Sequence, residues 1–292
     1  MIEKRSAGER VYDALVYLFM LVLLVVMIYP FLYIVNYSIS SAGQISQPLL
    51  LWPQGVNFES YKLLFSDDSV FRAFFISVSR SVLGSAIMLL VTGTGAYAIS
   101  RPNLIFGKFF RMFFLFTMYF SAGVIPTYIL YKNLGLTNSF WVYIWPMAVV
   151  PFNMILIKTY IESLPRELEE AVLIDGGTEV DSYFRVILQM CLPVNAAVLM
   201  FSCINHWNSF IDTQLYNAMR PDLHTLQYVL YNTLAVQMQR SLEDAKNMVA
   251  GVVSSQSLKM AITVVTVVPI MCVYPFLRKY FVSGLLVGSV KA

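Results

Sequence analysis

Charged residues are scarce in this chain. Asp, Glu, Lys and Arg make up 13% of its 292 residues, about half the share found in soluble domains, which is too little charge to clothe a water-facing globule. Cysteine is nearly absent: Cys191, Cys203 and Cys272 all lie in apolar stretches without CxxC or Cys/His spacing, so neither a disulfide framework nor a zinc site is indicated. Histidine is rarer still. His206 and His224 show no HExxH pattern and no pairing with a nucleophile, which argues against an intramembrane enzyme. Basic blocks are missing as well, and a net charge of +3 spread over scattered Lys and Arg gives no phosphate-backbone surface. No nucleic-acid partner is expected. A GxxxxGK[ST] loop is lacking too, since Gly93-Thr94-Gly95-Ala96 has no lysine and lies in an apolar run.

Apolar residues are what the chain does have, at 58% of the sequence with a mean hydropathy of +0.66, and they define an integral membrane protein surrounded by lipid. A count of about 20 apolar residues per crossing finds roughly six spans, 13–37, 71–99, 106–131, 139–161, 186–211 and 258–280. The first follows Lys4, Arg5 and Arg10 and precedes the small residues Ser38 to Ala42, but its apolar run is too long for a cleaved signal, so an uncleaved helix is expected. Arg101, Lys108, Arg111, Arg166, Arg185, Arg278, Lys279 and Lys291 all fall on the side of the basic N-terminus. By the positive-inside rule both termini are cytoplasmic, which places the long connections 38–70 and 212–257 outside. Arg80 is expected to snorkel towards the outer surface.

The second span carries Ser77, Ser81, Ser85 and Gly93 at multiples of four, with Gly84, Gly95 and Ala96 nearby, a small-residue stripe that lets another helix approach closely. Pro30, Pro126, Pro146, Pro151, Pro193 and Pro269 lie in or at the edges of spans, where each removes a backbone donor. No internal repeat is evident.

The segment 162–185 is a polar insert among these spans. Pro165 suits a first helical turn, and Glu167, Glu169 and Glu170 put negative charge at its positive end. Leu168, Ala171, Val172 and Asp175 form a stripe at helical spacing beside an acidic one. Gly176-Gly177 ends the helix, because glycine takes the left-handed conformation without steric cost, and Thr178 with Asp181 caps a second helix. The expected unit is helix, sharp turn, helix. Its acidic face fits a protein socket better than a membrane surface, which would select Lys and Arg.

Glu170-Ala171-Val172-Leu173-Ile174-Asp175-Gly176-Gly177, continued by Tyr183 to Leu188 and Leu192-Pro193, resembles the "EAA" loop of permease subunits in ATP-driven (ABC-type) importers. Val172 stands for the second Ala of that pattern, Gly177 for the usual Ala and Gln189 for a frequent Pro. The resemblance covers nearly the whole chain: His206-Trp207-Asn208-Ser209-Phe210, Leu226 to Leu230 and Pro269 to Phe281 are similar to the carbohydrate branch that includes the maltose permease G subunit and the polysaccharide permeases of Gram-positive bacteria. It implies an all-α type I importer permease of about six transmembrane helices, a single domain over 1–292. Within it lie a helical bundle 13–280, a cytoplasmic coupling loop 162–185, an extracellular loop 212–257 and a cytoplasmic tail 281–292. Implied partners are a second permease subunit, two copies of a cytosolic ATPase subunit and an extracellular solute-binding lipoprotein. No cofactor is expected in this chain itself, with ATP and Mg held by the ATPase subunits. Glu170, Ala171, Asp175 and Gly176 become the ATPase-coupling residues. The tail either reaches between the ATPase subunits or is an ordinary terminus.

Asn205, His206, Trp207, Asn208 and Asp212 are candidates to line a carbohydrate path, since polar groups in an apolar span face protein or a water-filled cavity; an interfacial Trp and interhelical Asn hydrogen bonds are the competing reading. In the outer connection, Tyr228 and Tyr231 belong to an apolar patch that needs a cover, either the solute-binding protein or the permease itself. A secondary transporter of a polar solute is the alternative function, disfavoured because spans one, three and six are nearly bare of ionisable groups.

Overall fold

The computed structural model describes residues 7–41, 49–244 and 255–289. The chain divides into two units, residues 1–67 with 233–267 and residues 68–232 with 268–292. Helices dominate both, and the one β contact among the described residues is an isolated antiparallel bridge, Ser40 to Val56.

In the first unit, α1 (Ala7–Ser38) is apolar on every side and exposed along its length, the signature of a helix whose solvent is lipid. Its carboxyl end is pinned locally. The Asn36 side chain donates to the carbonyls of Leu50 and Leu51 at 3.1 and 2.8 Å, and the hydroxyls of Ser38 and Tyr61 meet at 2.7 Å, so the loop and α2 (Glu59–Phe65) fold back onto α1.

The second unit is organised around α3 (Asp68–Ser100). Its buried side, Val70, Ala73, Ser77, Arg80, Gly84, Met88, Thr92 and Ala96 among others, recurs every three to four residues, one continuous helical face. The serine and glycine stripe does what its spacing predicts. A Cβ at Gly84 would be built into the His206 ring, one at Gly93 would reach the Tyr183 hydroxyl, and one at Gly95 would meet Met154.

The third, fourth and fifth expected spans are each broken. After α4 (Gly107–Tyr119) the chain turns by 118° into α5 (Val124–Asn133), through an extended Phe120 and Gly123 at φ +85°. In the fourth, two 3-10 turns, Phe140–Tyr143 and Trp145–Met147, precede α6 (Pro151–Glu162) at a 43° bend. Pro151 starts α6, where a missing N–H costs nothing. Thr92 of α3 repairs the backbone gap, donating to the Ala148 carbonyl at 3.0 Å and accepting from the Val150 amide at 3.2 Å. The fifth span is led in by α8 (Glu179–Asp181), a π-helical segment Ser182–Ile187 and α9 (Leu188–Met190), themselves preceded by α7 (Glu167–Ile174); the chain then turns 80° into α10 (Leu192–Asn208) with Pro193 in its first turn. Pro126, Pro146, Pro151 and Pro193 thus mark starts of helical segments, while Pro30 and Pro269 lie inside long helices. By length and composition α1 and α3 can each cross a membrane alone, and among the described residues up to five crossings result if each bent pair counts as one.

The connection 212–257, expected as a loop, is largely ordered: α11 (Ile211–Tyr216), a 3-10 turn at Pro221–Leu223 and α12 (Leu226–Asp244). Residues 245–254 lie outside the described ones. The last helix, α13 (Ser255–Ser289), runs past the expected end at 280, so most of the expected tail 281–292 continues it; 290–292 are outside the described residues.

Candidate functional site

The hairpin 162–185 forms as its residues dictate. Asp175 caps the end of α7, Gly176 takes φ +80°, and the amides of Gly176 and Gly177 donate back to the carbonyls of Leu173 and Val172 at 3.1 and 2.9 Å. That is a Schellman closure, which satisfies two of the carbonyls the helix end leaves free. The next helix opens on a reciprocal cap: the Asp181 amide donates to Thr178 Oγ1 at 3.3 Å, and the Thr178 amide donates to Asp181 Oδ2 at 3.0 Å. Hydrogen bonds from the Thr178 hydroxyl and amide, with Arg185 beside them, hold the Asp181 carboxyl below the usual carboxylate range.

Helix α7 presents a different stripe from the one expected. Leu168 and Val172 turn inward, half-buried, whereas Glu170, Ala171 and Ile174 face outward, and Ile174 is 84% exposed. A large apolar side chain so exposed, flanked by Glu167, Glu170 and Asp175, forms a small apolar centre with an acidic rim. Val180 and Phe184 add exposed apolar surface on the second arm.

Two contacts invisible at sequence level hold the hairpin to the core. Arg101, just past the end of α3, pairs with both carboxylate oxygens of Glu169, Nη2 reaching Oε1 at 2.8 Å. Its guanidinium also lies 4.2 Å over the Tyr97 ring. The Tyr97 hydroxyl donates to Glu179 Oε2 at 2.8 Å, on the other arm. Behind them Tyr183 and Ile187 sit in a core with Met88, Ala96, Ile157 and Val198. A cleft of about 520 Å³ opens between the ends of α3, α6 and α7, with Arg101, Arg111, Arg166, Glu169 and Glu170 on its walls. Arg111 closes the carboxyl end of α3 by donating to the Ile99 carbonyl at 3.2 Å.

The five path candidates do not converge. Asn205 and Asn208 are exposed on one side of α10, while His206 and Trp207 are buried on the other. His206 lies against Gly84 and Trp207 edge-on to Phe74 at 6.2 Å. Arg80 does not snorkel: its side chain is 0% exposed, it pairs with both oxygens of Asp212, whose side chain is 18% exposed, and it lies 4.4 Å over the Tyr143 ring. The reason is supply of partners, since Asp212, the Ser209 carbonyl at 3.3 Å and an aromatic face compensate the charge in place of water.

The apolar patch 226–231 is covered by the chain itself. The Leu226 amide donates to Ser77 Oγ at 2.8 Å, and the Tyr143 hydroxyl donates to the Leu223 carbonyl at 2.8 Å. Tyr228 is buried, unsuited as it stands to contact another protein, whereas Tyr231 stacks on Phe210 at 4.6 Å and keeps 38% exposure. At the rim, Arg220 donates two hydrogen bonds to Asp222, which push that carboxyl down to about 2.

A membrane-embedded chain with a capped hairpin fixed to its longest buried span has clear counterparts. The family model described as "binding-protein-dependent transport system inner membrane component" matches residues 95–287. The chain belongs to that family. It is therefore a multi-pass membrane component of a transport system and not an enzyme. This also removes the secondary-transporter alternative. It is similar to the polygalacturonan/rhamnogalacturonan transport system permease protein YtcP of Bacillus subtilis, 32% identical over 97% of this chain and 99% of that protein. Protein LplC of the same organism is 35% identical over 98% and 97%. Among solved structures, a bacterial ABC transporter involved in the import of the acidic polysaccharide alginate superposes with a TM-score of 0.86 at 26% identity, covering 95% of this chain and 99% of that one. The hairpin 162–185 falls within the matched region, as do α10 and α12.

Proposed function

We propose that this chain is one of two permease subunits of an ATP-driven importer that translocates an oligosaccharide delivered by an extracellular solute-binding protein. The observation that carries the reading is the hairpin: a double-capped turn that holds Glu170, Ala171, Ile174 and Asp175 outward on a rigid base. Such a surface fits a complementary groove on a soluble subunit, with Ile174 as the apolar anchor and Glu170 seeking a basic group. ATP and Mg bind that subunit, present in two copies, and Gly176 fixes the angle at which the anchor is presented.

The oligosaccharide class is supported by the named substrates of the relatives, a polygalacturonan/rhamnogalacturonan and alginate. Asn205 and Asn208 are the path candidates that retain free polar surface, and both offer amide donors and acceptors to sugar hydroxyls. Tyr231, with Phe210 behind it, is the retained candidate for contact with the binding protein. The distribution of Lys and Arg supports cytoplasmic termini and a cytoplasmic hairpin, with the 211–231 segment outside.

Co-purification of an ATPase subunit and its ATP hydrolysis, measured for wild type and Glu170→Ala, test this function. Loss of a charged contact that is desolvated on docking costs about 2–5 kcal/mol, so hydrolysis coupled to the permease should fall at least tenfold. Unchanged association and hydrolysis would reject the docking surface. Uptake of oligogalacturonides, alginate oligosaccharides and maltodextrins by cells carrying the complete transporter assigns the substrate.

A further inference from the structure

Helix α3 is gripped by arginine at two levels. About three turns in from its start at Asp68, Arg80 pairs with Asp212, and one turn earlier Ser77 accepts from the Leu226 amide at 2.8 Å, so the outer segment 211–231 is fastened to this helix at two points. Just past the carboxyl end Arg101 pairs with Glu169 on one arm of the hairpin, and Tyr97 donates to Glu179 on the other arm at 2.8 Å. Arg80 and Arg101 are 21 positions apart, about 31 Å along a helix that rises 1.5 Å per residue. That distance matches the thickness of a bilayer's hydrocarbon core, about 30 Å.

Between the grips α3 has the properties of a rod. It contains no proline and no break over Asp68–Ser100, whereas α4 with α5, the 3-10 turns with α6, and the α8–α9 segment with α10 bend by 118°, 43° and 80°. Bent segments absorb displacement at their breaks, while a straight helix passes it on. Both grips are also stiffer than surface ion pairs. Each guanidinium engages both carboxylate oxygens and rests on an aromatic ring, Tyr143 at 4.4 Å and Tyr97 at 4.2 Å, which fixes direction as well as distance.

We propose that α3 is the element that transmits movement between the hairpin and the outer segment 211–231, with Arg101, Glu169 and Tyr97 as positioning residues at one grip and Arg80 and Asp212 at the other. The inference rests on the reading that the hairpin docks on an ATPase subunit. Arg101 and Glu169 face the permease core and leave the docking surface around Glu170 and Ile174 intact. Displacement of the hairpin pulls on the end of α3 through the Glu169 pair, and the outer segment follows through the Asp212 pair.

The test uses the complete transporter in proteoliposomes, with a cysteine replacing Met219, which is 90% exposed on the outer segment. The rate at which it reacts with a membrane-impermeant maleimide is measured without nucleotide and with ATP and vanadate, alongside co-purification of the ATPase subunit and basal ATP hydrolysis. Expected for the parent is a nucleotide-dependent change of rate of about threefold or more. R101Q and E169Q should abolish that change while leaving co-purification and basal hydrolysis within about twofold, and the reversed pair R101E/E169R should restore it. If the parent fails to retain an ATPase subunit, the docking reading fails. If it retains the subunit but Met219Cys does not respond to nucleotide, or if R101Q keeps the full response, transmission through α3 is overturned. Loss of assembly in R101Q without rescue by the reversed pair also overturns it, since the pair is then only structural.

Discussion

Arg80 and Asp212 are 132 residues apart in sequence and joined by two hydrogen bonds inside the protein. Asp212 lies in α11, which follows a break in the chain after Asn208, so this pair fixes where the segment 211–231 returns to α3. Removing one partner leaves a buried charge uncompensated and costs about 3–5 kcal/mol. Arg80→Ala and Asp212→Ala should each lower the thermal unfolding midpoint of the purified protein markedly. Replacing both with apolar residues of similar volume, Arg80→Met with Asp212→Leu, should recover most of the loss. A double variant as unstable as the sum of its parts would contradict the pairing.

The turn of the hairpin depends on backbone conformation alone. At Gly176 a Cβ would meet nothing within 4 Å, yet φ is +80°. Substitution is therefore penalised by strain and not by collision, about 1–2 kcal/mol for an ordinary residue and more for a β-branched one. Asn should be tolerated best, Ala less well and Val worst, in the order of ATPase-subunit co-purification. Equal behaviour of Asn and Val would show that the left-handed conformation is not needed.

Val172 and Gly177 form a matched couple. A Cβ on Gly177 would come within 2.7 Å of Val172 Cγ1 and 2.9 Å of the Val172 carbonyl, so the larger side chain at 172 fills space that an alanine at 177 requires. These are the two positions where the motif departs from Ala in the EAA pattern, and the departures compensate. Gly177→Ala alone should destabilise the hairpin, seen as faster amide exchange over 172–182. Adding Val172→Ala should relieve part of the effect, giving a favourable coupling energy of about 0.5–1 kcal/mol in the double-mutant cycle. Strict additivity would refute the match.

The carboxyl of Asp181 is held below its ordinary range by Thr178, and that of Asp222 at about 2 by Arg220. For a group whose folded pKa is depressed, the stabilising contribution is complete above the unfolded value, about 3.9, and is lost as pH falls through the folded one. Both local structures should keep constant exchange protection between pH 8 and 5, after correction for intrinsic exchange, and weaken only below about pH 4. Asp181→Asn should expose the first turn of the second arm across the whole range. A transition near neutral pH would contradict the assignment.

The hairpin was legible in the sequence because its determinants are local: an acidic first turn, Gly176 after the last helical residue, and Thr178 three residues before Asp181. The small-residue stripe of α3 was legible for the same reason. What was not legible depends on partners far along the chain. Arg80 read as a snorkelling residue because nothing near it in sequence announces Asp212, and Glu169 read only as a helix-dipole acid because Arg101 lies 68 positions away. The breaks in the spans were half visible. Proline marked where helices start, but the apolar runs continue through Phe120–Gly123, so composition alone joined α4 to α5. Tyr228 and Tyr231 look equivalent in sequence, and the difference comes from Ser77 and Leu226, which bury the former by anchoring the start of α12.

Photo-cross-linking from position 174 tests the central claim most directly. With benzoylphenylalanine replacing Ile174, the account predicts that irradiation of intact membranes yields an adduct with a nucleotide-binding subunit, identified by mass spectrometry, and that Glu170→Ala weakens it. Adducts with lipid alone, or with no protein but this chain, would contradict the hairpin as the docking surface of an ATP-driven importer.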